Sequence, residues 1–430
     1  MLDIKFIREN AGLITAGAAK KHLEVDISAL LAADEKRRAL LLEVERMRAT
    51  QNEANTEMVK ANPGERVDIV ARMKVLKEQL QKKEKELQDI EHEWQLLMVQ
   101  VPNIPDPSVP DGTSDADNVE VRRWPVLSEV EGGQKPDIAN PKSHIELMQN
   151  LGMADFERGT KVAGFRGYFL KGDGALLNYA VWQFVMEYFV KKGGFVPMLV
   201  PSLVKRVAFL GTGYLPQGEE DLYKTQDSDF LAGTGEVATM AYYMNETLDI
   251  KELPLKMLAF SPCFRREAGS HGKDTKGLMR VHEFFKFEQV VLCEASHEES
   301  VRLHEELTVN AEELLQRLAL PYRVVLNCGG DLGLGQVKKY DIEAWVPSEE
   351  RYRETHSSSY FHDFQTRRLN IRYRDASGAL HYAHSLNNTA LATPRILISI
   401  IENNQREDGS ITVPEVLRPY MGKEVIGSTA

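Results

Sequence analysis

Two stretches of the chain place apolar residues at alternating spacings of three and four. Leu30, Ala33, Arg37, Leu40, Val44, Met47, Gln51, Ala54 and Met58 form the first series; Ile69, Met73, Leu76, Leu80, Lys83, Leu87, Ile90, Trp94, Leu97 and Val101 form the second. Mostly apolar, with charges between, each reads as the seam of a coiled coil. Between them "ANPGE" carries Pro63 and Gly64, which break a helix and permit reversal, so the pattern predicts an antiparallel hairpin. Arms of roughly 35 residues, at about 1.5 Å rise per residue, reach about 50 Å. Taken alone, the hairpin reads equally as a dimerising coiled coil or as an arm that projects toward a partner.

After Val101 the run "PNIPDPSVPDGTSDAD" is dense in Pro, Asp, Gly and Ser, the composition of a linker or extended loop. It predicts two domains, 1–110 and 111–430. In the second, β-like runs such as "GFVPMLVP" and "FKFEQVVLC" alternate with helical ones such as "LLNYAVWQFVMEYFVKKG" and "HEESVRLHEELTVNAEELLQRL", without a regular βαβ rhythm. The expectation is an α+β fold with a mainly antiparallel sheet flanked by helices.

Composition narrows the class. The 430 residues exceed what one hydrophobic core usually supports, and 43% hydrophobic with 27% charged residues is ordinary globular usage. Three cysteines, Cys263, Cys293 and Cys328, show no disulfide framework or zinc-ligand spacing, which suits a reducing cytoplasm. "MLDIKFIREN" lacks a signal-peptide core, and no run is long enough to cross a bilayer, so neither secretion nor a membrane partner is expected. A formal net charge of -11 weakens nonspecific binding to phosphate backbones, yet leaves room for a local basic patch.

Such a patch is "FRREAGSHGKDTKGLMRVHEFFKFE", residues 264–288, with six Lys and Arg among four carboxylates. Both ends read as strands. In the second, Phe284, Lys286, Glu288 and Val290 share one face by the two-residue period. Arg265 offers a planar fork of donors that matches phosphoryl oxygens, and Phe284 could carry a flat base. A solvent-exposed charged hairpin is the plainer alternative.

This stretch resembles motif 2 of the class II aminoacyl-tRNA synthetases, in the seryl version. The resemblance runs along the chain. "GFVPMLVP" looks like motif 1, the dimer-interface element; "FLAGTGEVA" looks like the amino-acid-binding TxE loop; "HSLNNTALATPRILISIIEN" looks like motif 3. "NCGGDLGLGQVKKYDIEAW" and "DFQTRRLNIRYR" are similar to signatures of the seryl family.

The resemblance implies an ATP site of Arg265, Arg266, Glu267, Val281, Phe284, Glu354, Thr355, His356, Ser357 and Arg395. Arg265 would hold the α-phosphate, Phe284 and Arg395 would sandwich the adenine, and Glu267 would meet its edge. Glu354 and Ser357 match positions that face ATP and Mg2+, an ion suited to hard oxygen ligands. For L-serine it implies Thr234, Gly235, Glu236, Arg265, Glu288, Asn387 and Thr389, with Arg265, Glu288 and Arg395 central to catalysis. Departures from the family pattern are Pro394 before Arg395, "NNTA", Gly235 for Ala, and Thr355 and His356 for small residues.

The implied activity is serine-tRNA ligation in a cytoplasmic homodimer, with tRNA(Ser) as acceptor and tRNA(Sec), which the family often serylates, as a further candidate. The hairpin then becomes the tRNA arm, with Arg37, Arg38, Arg46, Arg48, Lys60, Arg66, Arg72, Lys74 and Lys77 as phosphate contacts. Two rivals are a paralogue that delivers its amino acid to a carrier protein, and a noncatalytic coiled-coil protein with a decayed synthetase domain. The complete hairpin speaks against the first, and retention of Arg265, Glu288 and Arg395 against the second. "GGDLGLG" reads as a structural loop, and His356, His362, His381 and His384 as surface or hydrogen-bonded histidines instead of metal ligands.

Overall fold

The computed structural model describes residues 1–125, 140–269, 272 and 274–427. The chain divides into two compact units: Leu2–Ala19 with Leu23–Pro102, and Met1, Lys20–His22 with Asn103–Ala430.

In the first unit, two short helices, Ile4–Glu9 and Ala11–Lys20, precede the long hairpin helices α1 (Ile27–Lys60) and α2 (Pro63–Met98). The expected seam forms: Ala33, Leu40 and Val44 of α1 bury against Leu80, Leu87 and Ile90 of α2, and the Arg37 guanidinium lies 4.6 Å from the Trp94 ring. Lys83 adds a cross-helix ion pair to Glu43 at 3.0 Å. Pro63 does not end the first helix. It opens the second, behind an Asn62 cap that accepts from the Gly64 and Glu65 N–H groups while Glu65 reaches back to the Asn62 N–H.

The second unit is built on an eight-stranded sheet. Its strands are β1 (Val119–Trp124), β2 (Val196–Leu199), β3 (Leu255–Phe264), β4 (Glu283–Cys293), β5 (Tyr322–Leu326), β6 (Lys338–Val346), β7 (Arg351–His362) and β8 (His384–Thr393). The order is β1-β5-β6-β7-β8-β4-β3-β2, antiparallel throughout except for the β2–β3 pair.

Alternation along β4 assigns the two faces. Phe287 joins the main core with α3 (Asp173–Lys192) and α6 (Arg395–Asn403), while Gln289 donates to the Leu307 carbonyl of α5 (His297–Arg317) and Val291 packs beside Leu307. The even-numbered residues turn the other way, Val290 and Leu292 packing against Met240 of α4 (Gly235–Tyr242). That second face carries Phe284, Lys286 and Glu288.

The Pro-rich run after Val101 is more than a linker. Asn103 and Val109 are buried; Asn103 Nδ2 donates to the Gly335 and Phe361 carbonyls, and Asp106 accepts from Tyr360 Oη at 2.9 Å. These residues group with the second unit, whose main segment begins at Asn103. Composition alone misleads here because prolines without N–H groups can pack where their neighbours' polar groups are satisfied by the sheet.

Candidate active site

Two adjoining cavities open on the α4 side of the sheet. One is lined by Arg265, Glu267, Val281, Phe284, Glu354, Thr355, Thr389 and Arg395, and the other by Tyr214, Thr234, Glu236, Glu288, Asn387 and the turn Gly333–Gln336. Arg265, Lys286 and Ser357 line both, so the two form one cleft with a guanidinium and an ammonium at the junction.

Two β-strands deliver six of these groups. On β4 the regular pleat aims Phe284, Lys286 and Glu288 into the cleft. On β7 a bulge makes Thr355 the extra residue: Ile342 pairs with His356 and Glu343 with Glu354. The bulge turns Glu354, Thr355 and Ser357 all toward the first cavity and sends His356 into the interior, its Nδ1 2.8 Å from Thr355 Oγ1. Arg395 arrives as the first residue of α6, its Nε donating to the Met279 carbonyl and its Nη1 to the Glu354 carbonyl, both at 3.0 Å.

Electrostatics divide the cleft. In the first cavity, Arg265 donates through Nε to the Gly233 carbonyl and holds its guanidinium 5.2 Å from the centre of the Phe284 ring. Burial weakens the charged form of the Arg395 guanidinium, and Glu354 partly restores it. Partial burial opposes ionisation of Glu354, whose side chain is 49% exposed, but Arg395, Lys339, Arg265 and Arg280 prevail and hold its pKa below the usual carboxylate range. Glu267, with φ +57° in the left-handed region, accepts from Arg280 Nη1 at 2.6 Å. A polyanion fits this cationic wall.

The second cavity shares Arg265 and Lys286 and sets two carboxylates, Glu236 and Glu288, against them. The buried Glu236 carboxylate accepts from Gln365 Nε2 at 2.6 Å and Tyr214 Oη at 2.8 Å; burial raises its pKa, reinforced by Glu288. Lys286 Nζ contacts the Glu288 carboxylate and donates to Thr234 Oγ1 at 2.8 Å. Glu236 and Glu288 face Lys286 and the Arg265 guanidinium at the junction, so the pocket offers acceptors and donors together and suits a small zwitterion bearing a hydroxyl.

Three of the expected residues lie elsewhere. Arg266 is exposed and donates to the Glu220 carbonyl, His356 is buried behind β7, and Gly235 begins α4, where a Cβ would come within 3.3 Å of Ala259 Cβ and Ser261 Oγ. Thr389 lines the first cavity and not the second. Sequence reasoning left Lys286 out of the site although it put it on the same strand face, and it assigned the end of "GGDLGLG" to mere structure. Tyr214 and Gln365 had no local signal, since they are recruited only by contact with Glu236. The remaining histidines of interest are hydrogen-bonded: His362 to His297, His381 to Asp375 and His384 to Ser300. Among the described residues no side-chain cluster could hold a metal ion unaided.

Comparison with known proteins agrees with this geometry. Residues 1–105 match the seryl-tRNA synthetase N-terminal domain, and residues 222–404 match the tRNA synthetase class II core domain of the G, H, P, S and T group. The serine-tRNA ligase of Deinococcus radiodurans is 47% identical over 99% of this chain and 99% of its own length. The chain belongs to the seryl-tRNA synthetase family. That of Caldicellulosiruptor saccharolyticus is 44% identical over 99% of this chain and all of its own length. Among solved structures, the seryl-tRNA synthetase of Pyrococcus horikoshii complexed with ATP aligns over the whole of both chains, with a TM-score of 0.89 and 38% identity. The cytoplasmic serine-tRNA ligase of Naegleria fowleri in complex with AMP gives 0.84 and 30%, covering 100% of this chain and 99% of that one. Within a seryl-tRNA synthetase, the cationic cavity and its carboxylate-lined neighbour have the chemistry of a nucleotide site beside an amino-acid site.

Proposed function

We propose that this protein is a serine-tRNA ligase that activates L-serine with ATP and transfers it to the 3′ end of tRNA(Ser). The single observation that carries the reading is the continuity of the two cavities through Arg265, Lys286 and Ser357. A serine held among Thr234, Glu236 and Glu288 would present its carboxylate toward the junction, where Arg265 stands ready for the α-phosphate. Attack of that carboxylate oxygen on the α-phosphorus forms the mixed anhydride, and the bond to the bridging oxygen breaks to release pyrophosphate. Arg265 stabilises the charge that gathers on the nonbridging oxygens, and the fixed cleft supplies the alignment. The 3′-terminal ribose hydroxyl then attacks the seryl carbonyl carbon, and AMP leaves.

Adenine fits between the Phe284 ring and the Arg395 guanidinium, with Glu267 near its edge. Glu354 and Ser357 put hard oxygens on the same wall as the phosphate-binding arginines, a donor set that suits Mg2+ completed by phosphate oxygens and water. Bound there, the ion would neutralise charge on the triphosphate. Arg266, His356 and Gly235 enter this reading as supports of the loop, strand and helix that carry the contacts, and Val281 as part of the floor.

Selectivity follows from the second cavity. Alanine would leave the hydroxyl partners of serine buried and unpaired, which discriminates more strongly than volume alone; threonine is excluded for want of room.

The same reading makes the molecule a homodimer. Leu176, Tyr179 and Val190 on α3, with Val196 and Leu199 on β2, are large apolar residues between 49% and 84% exposed, an apolar surface suited to a second copy. No helix among the described residues is long and apolar enough to cross a membrane. On the arm, Arg46, Lys60, Lys74 and Lys77 are exposed and available to phosphates, whereas Arg37 and Arg38 clasp buried Asp34, and Arg48 and Arg72 pair with Glu84 and Glu57. Charging of tRNA(Ser) with labelled serine, ATP and Mg2+ tests the reading, with tRNA(Sec) as a second acceptor; folded protein that charges neither would overturn it.

A further inference from the structure

Lys21 is a buried cation without a carboxylate partner. It follows the helix Ala11–Lys20, in the segment Lys20–His22 that belongs with the unit holding the cleft, and it is 3% exposed. All three of its N–H donors are used on main-chain carbonyls: Gly333 and Leu334 at 3.0 Å and Gln336 at 2.6 Å. Burial alone pulls its pKa down to about 7. Asn103 completes the set, its N–H donating to Leu334 at 2.9 Å and its Nδ2 to Gly335 at 3.1 Å.

Every carbonyl of the turn Gly333–Gln336 is therefore tied from outside the cleft by two residues distant in sequence. The turn is also closed internally, because Gln336 Oε1 accepts from the Gly333 N–H at 2.6 Å while its Nε2 donates to Ser359 Oγ at 2.8 Å. This turn is a wall of the cavity that also holds Thr234, Glu236 and Glu288.

Desolvating an ammonium opposes folding, and here that cost is offset because each of its N–H groups meets a carbonyl of the turn. What an ammonium does that an apolar group cannot is draw three carbonyls to one point, which fixes the curvature of the turn. We infer that Lys21 is a positioning residue for the amino-acid pocket, setting with Asn103 the distance of the Gly333–Gln336 wall and so the room available to the substrate side chain. The inference rests on the ligase reading above and adds to it a specificity determinant that does not touch substrate.

Pyrophosphate exchange in the full-length protein tests it, with Lys21→Met and Lys21→Gln compared to wild type. A wall released from its clamp should raise the serine KM of Lys21→Met about tenfold while the ATP KM stays within about twofold. The ratio of kcat/KM for serine over threonine should fall several-fold, and Lys21→Gln, which retains two donors, should lie between. A change confined to global stability would not move that ratio. Serine KM within about twofold of wild type, or serine and ATP KM rising in parallel, would overturn the inference while leaving the ligase reading intact. Wild-type protein with no serine-dependent exchange would overturn both. If Lys21→Met does not fold, Lys21→Gln carries the same comparison.

Discussion

Lys286 and Glu288, two residues apart on one face of β4, form an ion pair inside the cleft, with Thr234 as the second partner of the ammonium. Both side chains are almost fully buried, at 7% and 3% exposed. Lys286 lines both cavities and Glu288 the second, so the pair stands where the two meet.

Removing one member should be worse than removing both. Lys286→Met would leave Glu288 charged, buried and unpaired, at a cost of about 3 kcal/mol or more in unfolding free energy. Lys286→Met with Glu288→Leu should recover much of that stability without recovering serine activation. A urea denaturation series on the single and double variants checks the sign.

Arg265 should be needed for the reaction and not for the fold. Its anchoring bond to the Gly233 carbonyl is one that lysine could partly replace, but the planar fork is not. Arg265→Lys is expected to lower serine-dependent exchange by about a hundredfold while the unfolding free energy stays within about 1 kcal/mol. Parallel exchange and thermal-melting measurements separate the two effects.

Much of the arrangement was legible in the chain. The three-four periodicity of residues 30–101 specified the hairpin because a two-helix seam is a local pattern. The β4 alternation placed Phe284, Lys286 and Glu288 together because pleating leaves no other choice. The bulge at Thr355 was not legible, and it separates His356 from Glu354, Thr355 and Ser357, which a simple resemblance had grouped. Nor was the packing of Asn103, the position of Lys21 or the recruitment of Tyr214 and Gln365, since each depends on segments more than a hundred residues apart, or on a loop folding over a helix.

Stability should fall with acid through the titration of buried histidines. His304 hydrogen-bonds through Nε2 to the Ser358 carbonyl and stacks 4.8 Å from Tyr340, and burial lowers its pKa to about 4; His356 is lowered to about 4 for the same reason. A depressed folded-state pKa means that the folded form binds fewer protons, so the contribution is complete above the unfolded value of about 6.5 and is lost as pH falls toward 4. Asp341, raised by burial to about 7, takes up a proton across this same window and opposes the loss by an amount comparable to one histidine, so the net decline rests on the two histidines acting together. For His304 the contribution at stake is on the order of 3 kcal/mol. Urea midpoints measured from pH 7 to 4 should decline, and less steeply in His304→Gln.

The arm and the cleft should separate by assay. Removing residues 50–78 and closing the hairpin with a short turn retains the basal contacts of Leu40 and Val44 with Leu80 and Leu87. Serine-dependent exchange is then expected within about twofold of wild type, while charging of tRNA falls by about a hundredfold or more. Equal losses in both assays would mean that the distal arm supports the cleft itself.

The most direct measurement is amino-acid-dependent exchange of labelled pyrophosphate into ATP by purified, folded protein. Serine should support exchange, with threonine weaker and alanine lower by about a thousandfold or more, as expected when hydroxyl partners are left buried and unpaired. No exchange with serine, or alanine as effective as serine, would contradict the account of a cleft that joins a nucleotide to this amino acid.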